Sequence, residues 1–382
     1  MRITIVLGAF LPVPPVMGGA VEKVWFALAE EFVRRGHEVV QISRTLPQLP
    51  RSEVIAGVRH LRIPGFDTPA SLIWLKCLDL IYSLRVLWAL PQADILVTNT
   101  FWLPMIPKGA SRGRVYVHVA RFPKGQMRLY RKAARLQAPS RAVARAIARE
   151  LSPLDSRAKV IPYPAPQPHS ASAPPAVADR SKKILFVGRV HPEKGVHLLI
   201  KAFAGVPRRL FTGWKLVIVG PTDSPHGGGG GEYDKQLRDA VEGSEGRVEM
   251  RGAIFDGAAL ENEFRDARIF AYPSLAETGE SFGLAPLEAM SHRCGVLVSD
   301  LECFHDFVRD GETGFIFDHR ASDPVAALRA KIVSLMKDES LLSSASEAGY
   351  RKSTDYSLNR VVDYFLNDFE SLIQPNAART SR

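Results

Sequence analysis

Short β-branched apolar runs alternate with helical patterns along most of the chain. The first set is RITIVLG (2–8), HEVVQIS (37–43), HLRIP (60–64), DILVTN (94–99) and RVYVHV (114–119), with a helical pattern over 20–35 after the first run. Such alternation predicts a parallel sheet with crossover helices. A polar, Pro- and Ala-rich run at 164–183 then breaks the rhythm, and its low apolar content predicts a linker. The rhythm restarts with KILFVG (183–188), KLVIVG (215–220), RVEMRG (247–252), RIFAYPS (268–274) and GVLVSD (295–300). The expectation is two α/β domains in series, residues 1–165 and 183–350, joined by a linker over 166–182. The tail over 357–375 places Val361, Val362, Phe365, Phe369 and Ile373 on one helical side, which predicts a helix packed back on the first domain.

Composition supports this picture: 382 residues, 46% hydrophobic and 24% charged, suffice for two separate cores. The three cysteines, Cys77, Cys294 and Cys303, fit neither a disulfide framework nor metal-ligand spacing, so a reducing compartment is expected. The N-terminus reaches Pro12 without a signal peptide's apolar core, so it reads as a strand of a cytoplasmic protein. The apolar stretch 71–90 is interrupted by Lys76, Asp79 and Arg85 and predicts a helix rather than a membrane span. Its Trp74, Tyr82 and Trp88 are expected in the core, with a lipid interface as the alternative.

The net charge of +10 is concentrated in 108–159, where fourteen Lys/Arg face only Glu150 and Asp155. Within that segment Arg141, Arg145 and Arg149 recur every fourth residue around Ala142, Val143, Ala146 and Ile147, after a Ser140 cap. This arginine ridge is either a solvated face or a docking surface for anionic lipid or an acidic acceptor, the latter placing the protein on the inner face of the membrane. No nucleic-acid recognition module accompanies it.

Three segments carry candidate chemistry. Gly18 and Gly19 lie between the first strand and its helix, where small residues let backbone amides approach a ligand. FVGRVHPEKG puts Arg189 after a strand end and Lys194 before a helix, a cation pair that suits a diphosphate, or else a surface salt bridge with Glu193. In PSLAETGESFGLAPLEAM (273–290), Pro286 favours the first turn of a helix beginning near Gly283. The amides of Phe282, Gly283 and Leu284 would then point outward, with Glu280 before the helix and Glu288 one turn inside it. The glycine run 227–231 lacks a phosphate-loop lysine and reads as a mobile loop.

With these motifs, the chain resembles the retaining glycosyltransferases of family 4. The resemblance rests on Gly18-Gly19, the GR-x4-KG segment (Gly188, Arg189, Lys194, Gly195) and the E-x7-E signature of Glu280 and Glu288. It implies an α/β GT-B fold, two Rossmann-like domains facing across a cleft, with the acceptor on the first and the nucleotide-sugar on the second. Arg189 and Lys194 would then neutralise the donor diphosphate, Glu280 would hold sugar hydroxyls and Glu288 the ribose. Amides from Ser281 to Leu284 would meet sugar and phosphates. By the same resemblance His118 would lie beside the transferred sugar, and Ile254 would meet the base through its backbone. Each has a plainer alternative, a satisfied strand-end histidine and ordinary packing. The implied activity is metal-independent transfer of a hexose-type sugar in cell-envelope or exopolysaccharide synthesis, by a front-face mechanism and without a cofactor. The donor, UDP- or GDP-linked, is a co-substrate, and the acceptor is a glycan or lipid-linked precursor.

Two positions depart from the family pattern. Arg293 stands where a glycine is usual, so that turn is expected to differ in shape, and Glu302-Cys303-Phe304 replaces a usual glycine pair. A sugar-nucleotide epimerase of the same fold and a non-catalytic binder of sugar nucleotides or anionic surfaces remain as alternatives.

Overall fold

The computed structural model describes residues 1–373 apart from 70, 107, 108, 153, 154, 167, 211 and 245, so Lys108 and the predicted helix end at 374–375 lie outside the described residues. The chain divides into two compact units. One comprises Met1–Pro164 with the helix that follows Ser357, and the other Ala165–Ser357.

In the first unit the strands are β1 (Arg2–Val6), β2 (Glu38–Arg44), β3 (Ser52–Ile55), β4 (Val58–Ile63), β5 (Ile95–Thr98), β6 (Arg114–His118), β7 (Arg135–Ala138) and β8 (Ala158–Val160). They form one sheet in the order β3-β4-β2-β1-β5-β6-β7-β8. Only the β3–β4 pair is antiparallel among the pairings of this sheet. The helices α1 (Ala20–Arg34), α2 (Leu72–Ala89) and α3 (Arg141–Glu150) are the crossovers.

Strand alternation assigns these helices to layers. Tyr82, Val86 and the following Leu90 pack with Val6, Ile42 and Leu96. Val143 and Ile147 of α3 pack with Val117 and Leu136. Leu96 pairs with Val115 across the β5–β6 ladder, and Val117, two residues on, shares that face. Therefore α2 and α3 cover the same side of the sheet. Tyr116 points to the other side and meets Phe369 at 4.9 Å between ring centroids. There Trp25 and Phe32 of α1 meet Phe365.

In the second unit β9 (Ser181–Val187), β10 (Lys215–Val219), β11 (Val248–Gly252), β12 (Ala267–Tyr272), β13 (Gly295–Ser299) and β14 (Phe315–Phe317) form a parallel sheet in the order β11-β10-β9-β12-β13-β14. Its helices are α4 (Val196–Ala204), α5 (Gly230–Glu242), α6 (Gly257–Asp266), α7 (Leu284–Ser291), α8 (Pro324–Lys337) and α9 (Glu339–Ser353). The chain order reverses between β9 and β12, the switch point where open α/β sheets bind ligands. Finally α10 (Leu358–Ile373) belongs to the first unit, with Val361, Val362, Phe365 and Phe369 fully buried. Burial of each stabilises by about 1.5–3 kcal/mol. Asp368 on the same helix accepts from Tyr116 at 3.0 Å and pairs with Arg135 at 2.8 Å.

Three sequence expectations change. Residues 165–182 are no free linker but part of the second unit, with Val177 and Arg180 buried. Arginines supply the anchorage that apolar content does not. Arg180 donates to the Pro175 carbonyl and, on the other side, to those of Ala267 and His292. Arg268 donates to the Ala178 carbonyl and Arg293 to that of Pro174. Arg293 also keeps the left-handed backbone, φ 57°, that a glycine would adopt. Its guanidinium lies 4.4 Å from the Tyr350 ring centroid and pairs with Glu347, so side-chain contacts offset a backbone cost of about 1–2 kcal/mol. Lastly, α2 buries Tyr82 but leaves Trp74 and Trp88 exposed. Its inner face is filled by Asp79, Tyr82, Ser83 and Val86. No described helix is long and apolar enough to cross a membrane.

Candidate active site

At the switch point of the second unit, the loop after β9 lies against the end of β12. Gly188 extends the ladder by donating to the Val219 carbonyl at 3.0 Å. A Cβ there would press on the Tyr272 ring at 3.2 Å, so glycine keeps this floor low. Residues Pro192–Lys194 form a tight turn, and Gly195 leaves it at φ 67°. Any side chain at 195 would overlap the Pro273 carbonyl. That close approach carries Lys194 to Glu280, with Nζ donating to Oε2 at 2.6 Å.

The Lys194–Glu280 pair is buried, its side chains 6% and 11% exposed. Ser274 Oγ donates to the same Oε2 at 3.2 Å. Beneath it, burial and the Glu280 carboxylate hold the Tyr272 phenol well above its ordinary range, so it stays protonated. Arg189 is exposed and donates to Glu193 at 2.6 Å and to the Gly227 carbonyl at 3.0 Å. Glu193 in turn lies 4.0 Å from Lys194, which makes an alternating row Arg189, Glu193, Lys194, Glu280. The sequence read Glu193 only as a competing salt-bridge partner.

The glycine run beside Arg189 is tied down rather than loose. The Gly229 amide donates to the Val190 carbonyl and the Gly230 amide to that of Thr222, and Gly230 opens α5.

Downstream, the Glu280 amide closes a turn onto the Ala276 carbonyl at 2.9 Å. Gly283 caps α7 at φ 97° without any side-chain cap. A Cβ at 283 would lie 2.5 Å from the Phe304 ring. Phe282 is buried between Phe307 and Tyr356. Leu284 and Ala285 thus begin a helix whose first amides have no acceptor within it and carry its positive end. Ser281 is half-buried at this entrance, and Glu288 is half-buried one turn inside α7. Ile254 stands after the edge strand β11, half-buried, and no contact joins it to the Lys194–Glu280 group among those described.

A tether of the Glu280 loop went unnoticed in the sequence. Glu277 pairs with His319 at 2.9 Å and Arg320 at 2.8 Å, and Arg320 donates to the Asp300 carbonyl. Glu277 lies more than forty residues from His319 and Arg320, and no local pattern marks the pairing.

In the first unit, Gly18 and Gly19 have φ 78° and 98° and precede α1, which also lacks a side-chain cap. Arg44 donates to the Phe10 carbonyl and Arg62 to that of Val13, so two strand arginines hold the loop leading to these glycines. His118 is buried at the end of β6. Its Nδ1 meets Gln137 Oε1 and its Nε2 meets Tyr163 Oη at 2.9 Å. Gln137 Nε2 donates to the Ile161 carbonyl, which leaves Oε1 to accept. The imidazole is therefore assigned as the Nδ1–H tautomer, accepting from Tyr163. Burial lowers its pKa to about 4. In this structure both ring nitrogens of His118 are engaged by Gln137 and Tyr163 inside the protein.

Two family models match the chain: Glycosyltransferase Family 4 over residues 17–165 and Glycosyl transferases group 1 over 170–352. The phosphatidyl-myo-inositol mannosyltransferase of Mycobacterium leprae (strain TN) is 31% identical over 192 residues, 50% of this chain and 47% of that protein. The chain spans about half the length of the curated relatives it matches. Among solved structures, sucrose-phosphate synthase from Thermosynechococcus elongatus aligns with a TM-score of 0.78 at 18% identity, covering 97% of this chain and 99% of that one. Anabaena Alr3699/HepE in complex with UDP and glucose aligns with a TM-score of 0.71 at 17% identity, covering 97% and 100%. Likeness at this level establishes the fold, which is GT-B.

Proposed function

The chain belongs to glycosyltransferase family 4, and from that premise we propose that it is a retaining hexosyltransferase using a UDP- or GDP-linked sugar. Its acceptor is a glycan or lipid-linked precursor of the cell envelope or an exopolysaccharide, and it works in the cytoplasm. The observation that carries this reading is the buried Lys194–Glu280 pair beside the uncapped start of α7, at the switch point of the second unit. The UDP and glucose bound by the Anabaena neighbour and the mannosyltransferase name of the mycobacterial relative support the donor class and the hexose.

Each group has a physical task in this scheme. As the bond from the sugar's anomeric carbon to the phosphate oxygen breaks, negative charge grows on the leaving diphosphate. Arg189 and Lys194 stabilise it, and a fixed cation in a water-poor site does so more in the transition state than before it. Exchange of Glu193 for phosphate costs Arg189 little, because exposed ion pairs contribute about 0–1 kcal/mol. Glu280, held by Lys194 and Ser274, accepts hydrogen bonds from sugar hydroxyls, and Glu288 does so from the ribose. The amides from Ser281 to Leu284 complement donor oxygens at the positive end of α7. Gly188 leaves room for the donor, and Ile254 borders the base. Gly18 and Gly19 leave the backbone amides ahead of α1 open to a ligand.

In the front-face step the acceptor oxygen bonds to the anomeric carbon on the face the diphosphate leaves. The acceptor proton passes to a departing phosphate oxygen. The two cations carry the charge, so no metal is required, and His118, neutral and fully bonded, stays outside the proton transfer.

Thermal shift with UDP-, GDP- and ADP-sugars identifies the donor, because a ligand bound only to the folded state raises Tm. Product analysis follows with that donor. Acceptor-dependent release of nucleoside diphosphate supports transfer, whereas an altered sugar still on its nucleotide identifies an epimerase. Binding without turnover across glycan and lipid acceptors overturns the enzymatic reading.

A further inference from the structure

The outer face of α2 breaks the usual pattern of a surface helix, which is polar where it meets water. Ile73, Trp74, Ile81, Leu84 and Trp88 are all exposed, Trp74 to 64% and Trp88 to 90%. At 100° per residue these positions, with exposed Cys77, fall within one stripe about a quarter-turn wide. Lys76 lies on one side of the stripe and Arg85 on the other, both exposed. The single acid of the helix, Asp79, is buried on the inner face, where it accepts amides of Phe101 and Trp102.

We propose that this face of α2 lies in the surface of an anionic lipid bilayer, with the tryptophans and aliphatic side chains inserted and the flanking cations at the headgroups. Three observations select lipid over a protein partner. Tryptophans stand near both ends of the stripe, where an interfacial helix places rings with an apolar body and a polar edge. The cations flank the stripe, Lys76 over the Phe101 ring and Arg85 at the Pro64 carbonyl, and their long stems allow such groups to turn to phosphate level beside an inserted face. The third is the layer itself: α3 covers the same side of the sheet, and its Arg141, Arg145 and Arg149 are exposed. Apolar insertion and basic attraction thus lie on one side of the first unit, and weak single signals combine into stable attachment. A second copy of the chain would cover the apolar stripe but would gain nothing from the surrounding positive charge.

The inference stands apart from the transferase reading, which concerns the second unit's donor site. The test is co-sedimentation of the full chain with vesicles of phosphatidylcholine, alone and mixed with phosphatidylglycerol. The wild-type protein is expected to sediment with the mixed vesicles, more weakly at high salt, and poorly with phosphatidylcholine alone. Trp74→Ser combined with Trp88→Ser should weaken binding roughly tenfold or more. The variant should keep its melting temperature and its donor-induced thermal shift, which separates lost docking from lost fold or lost donor site. Equal sedimentation of the variant overturns the proposal. So does absence of wild-type sedimentation, or a wild-type dimer by light scattering that the double variant dissolves while vesicles bind neither protein.

Discussion

Removing one member of the Lys194–Glu280 pair should cost stability that removing both restores. With side chains 6% and 11% exposed, each ion depends on the other for compensation. Glu280→Ala strands the Lys194 ammonium and also leaves Ser274 Oγ without that acceptor. Breaking such a pair costs about 3 kcal/mol, while replacing both ions by apolar groups of similar volume is often neutral. For a unit of this size, that loss corresponds to a Tm decrease of roughly 6–12 °C. Lys194→Met with Glu280→Leu should therefore melt near the wild type, so the single losses of about 3 kcal/mol each disappear together, a coupling of about 6 kcal/mol in a double-mutant cycle. Calorimetry supplies the stabilities, and nucleotide titration supplies the functional arm. The nucleoside diphosphate of the donor should raise the Tm of Glu280→Ala more than that of the wild type, because the anion becomes the missing partner. The double variant should be stable yet bind no donor. Single variants within about 0.5 kcal/mol of the wild type, or single effects that simply add in the double variant, would refute the reasoning.

Other outcomes follow from the first unit and from the second unit's αL arginine. Burial raises the Asp79 carboxyl to about 6 from 3.8, so the folded state favours its protonated form. Stability is gained as pH falls from about 6 towards 3.8, and Asp79→Asn should stabilise by on the order of 2 kcal/mol at neutral pH and by little at pH 4, as read by urea unfolding. His118 behaves oppositely, its pKa lowered to about 4 from 6.5. Its contribution is present above 6.5 and is lost as pH falls towards 4, so His118→Asn should flatten that part of the stability profile, and the rate profile should show no His118 limb near neutrality. Arg293→Ala keeps the strained backbone and loses the Tyr350, Glu347 and Pro174 contacts, so it should destabilise by about 1–2 kcal/mol. Arg293→Gly should be better than Ala by about 1 kcal/mol in the same denaturation assay, because glycine removes the strain.

The alternation of apolar runs and helical patterns was enough to read the α/β class, because backbone pairing and amphipathic burial are written in spacings of two and of three to four residues. Gly188-Arg189, Lys194-Gly195 and Glu280 with Glu288 were legible for a related reason. They sit at strand ends and helix starts, where local geometry dictates glycine and exposes amides. Contacts between distant segments were not legible. Lys194 meets Glu280 across 86 positions, and Arg189 is held by Glu193 and by the Gly227 carbonyl. The polar run 165–182 looked unable to pack because apolar content was the measure, whereas arginines reaching its carbonyls anchor it. Arg293 looked like a changed turn because its compensating contacts come from α9 and from 174, far along the chain. The hydropathy of α2 was plain from its residues, but not which face it would bury. Periodicity defines a helix and its stripes, and the sheet it lands on decides which stripe meets the core. Here the sheet took Tyr82 and Val86 and left Trp74 and Trp88 to the outside.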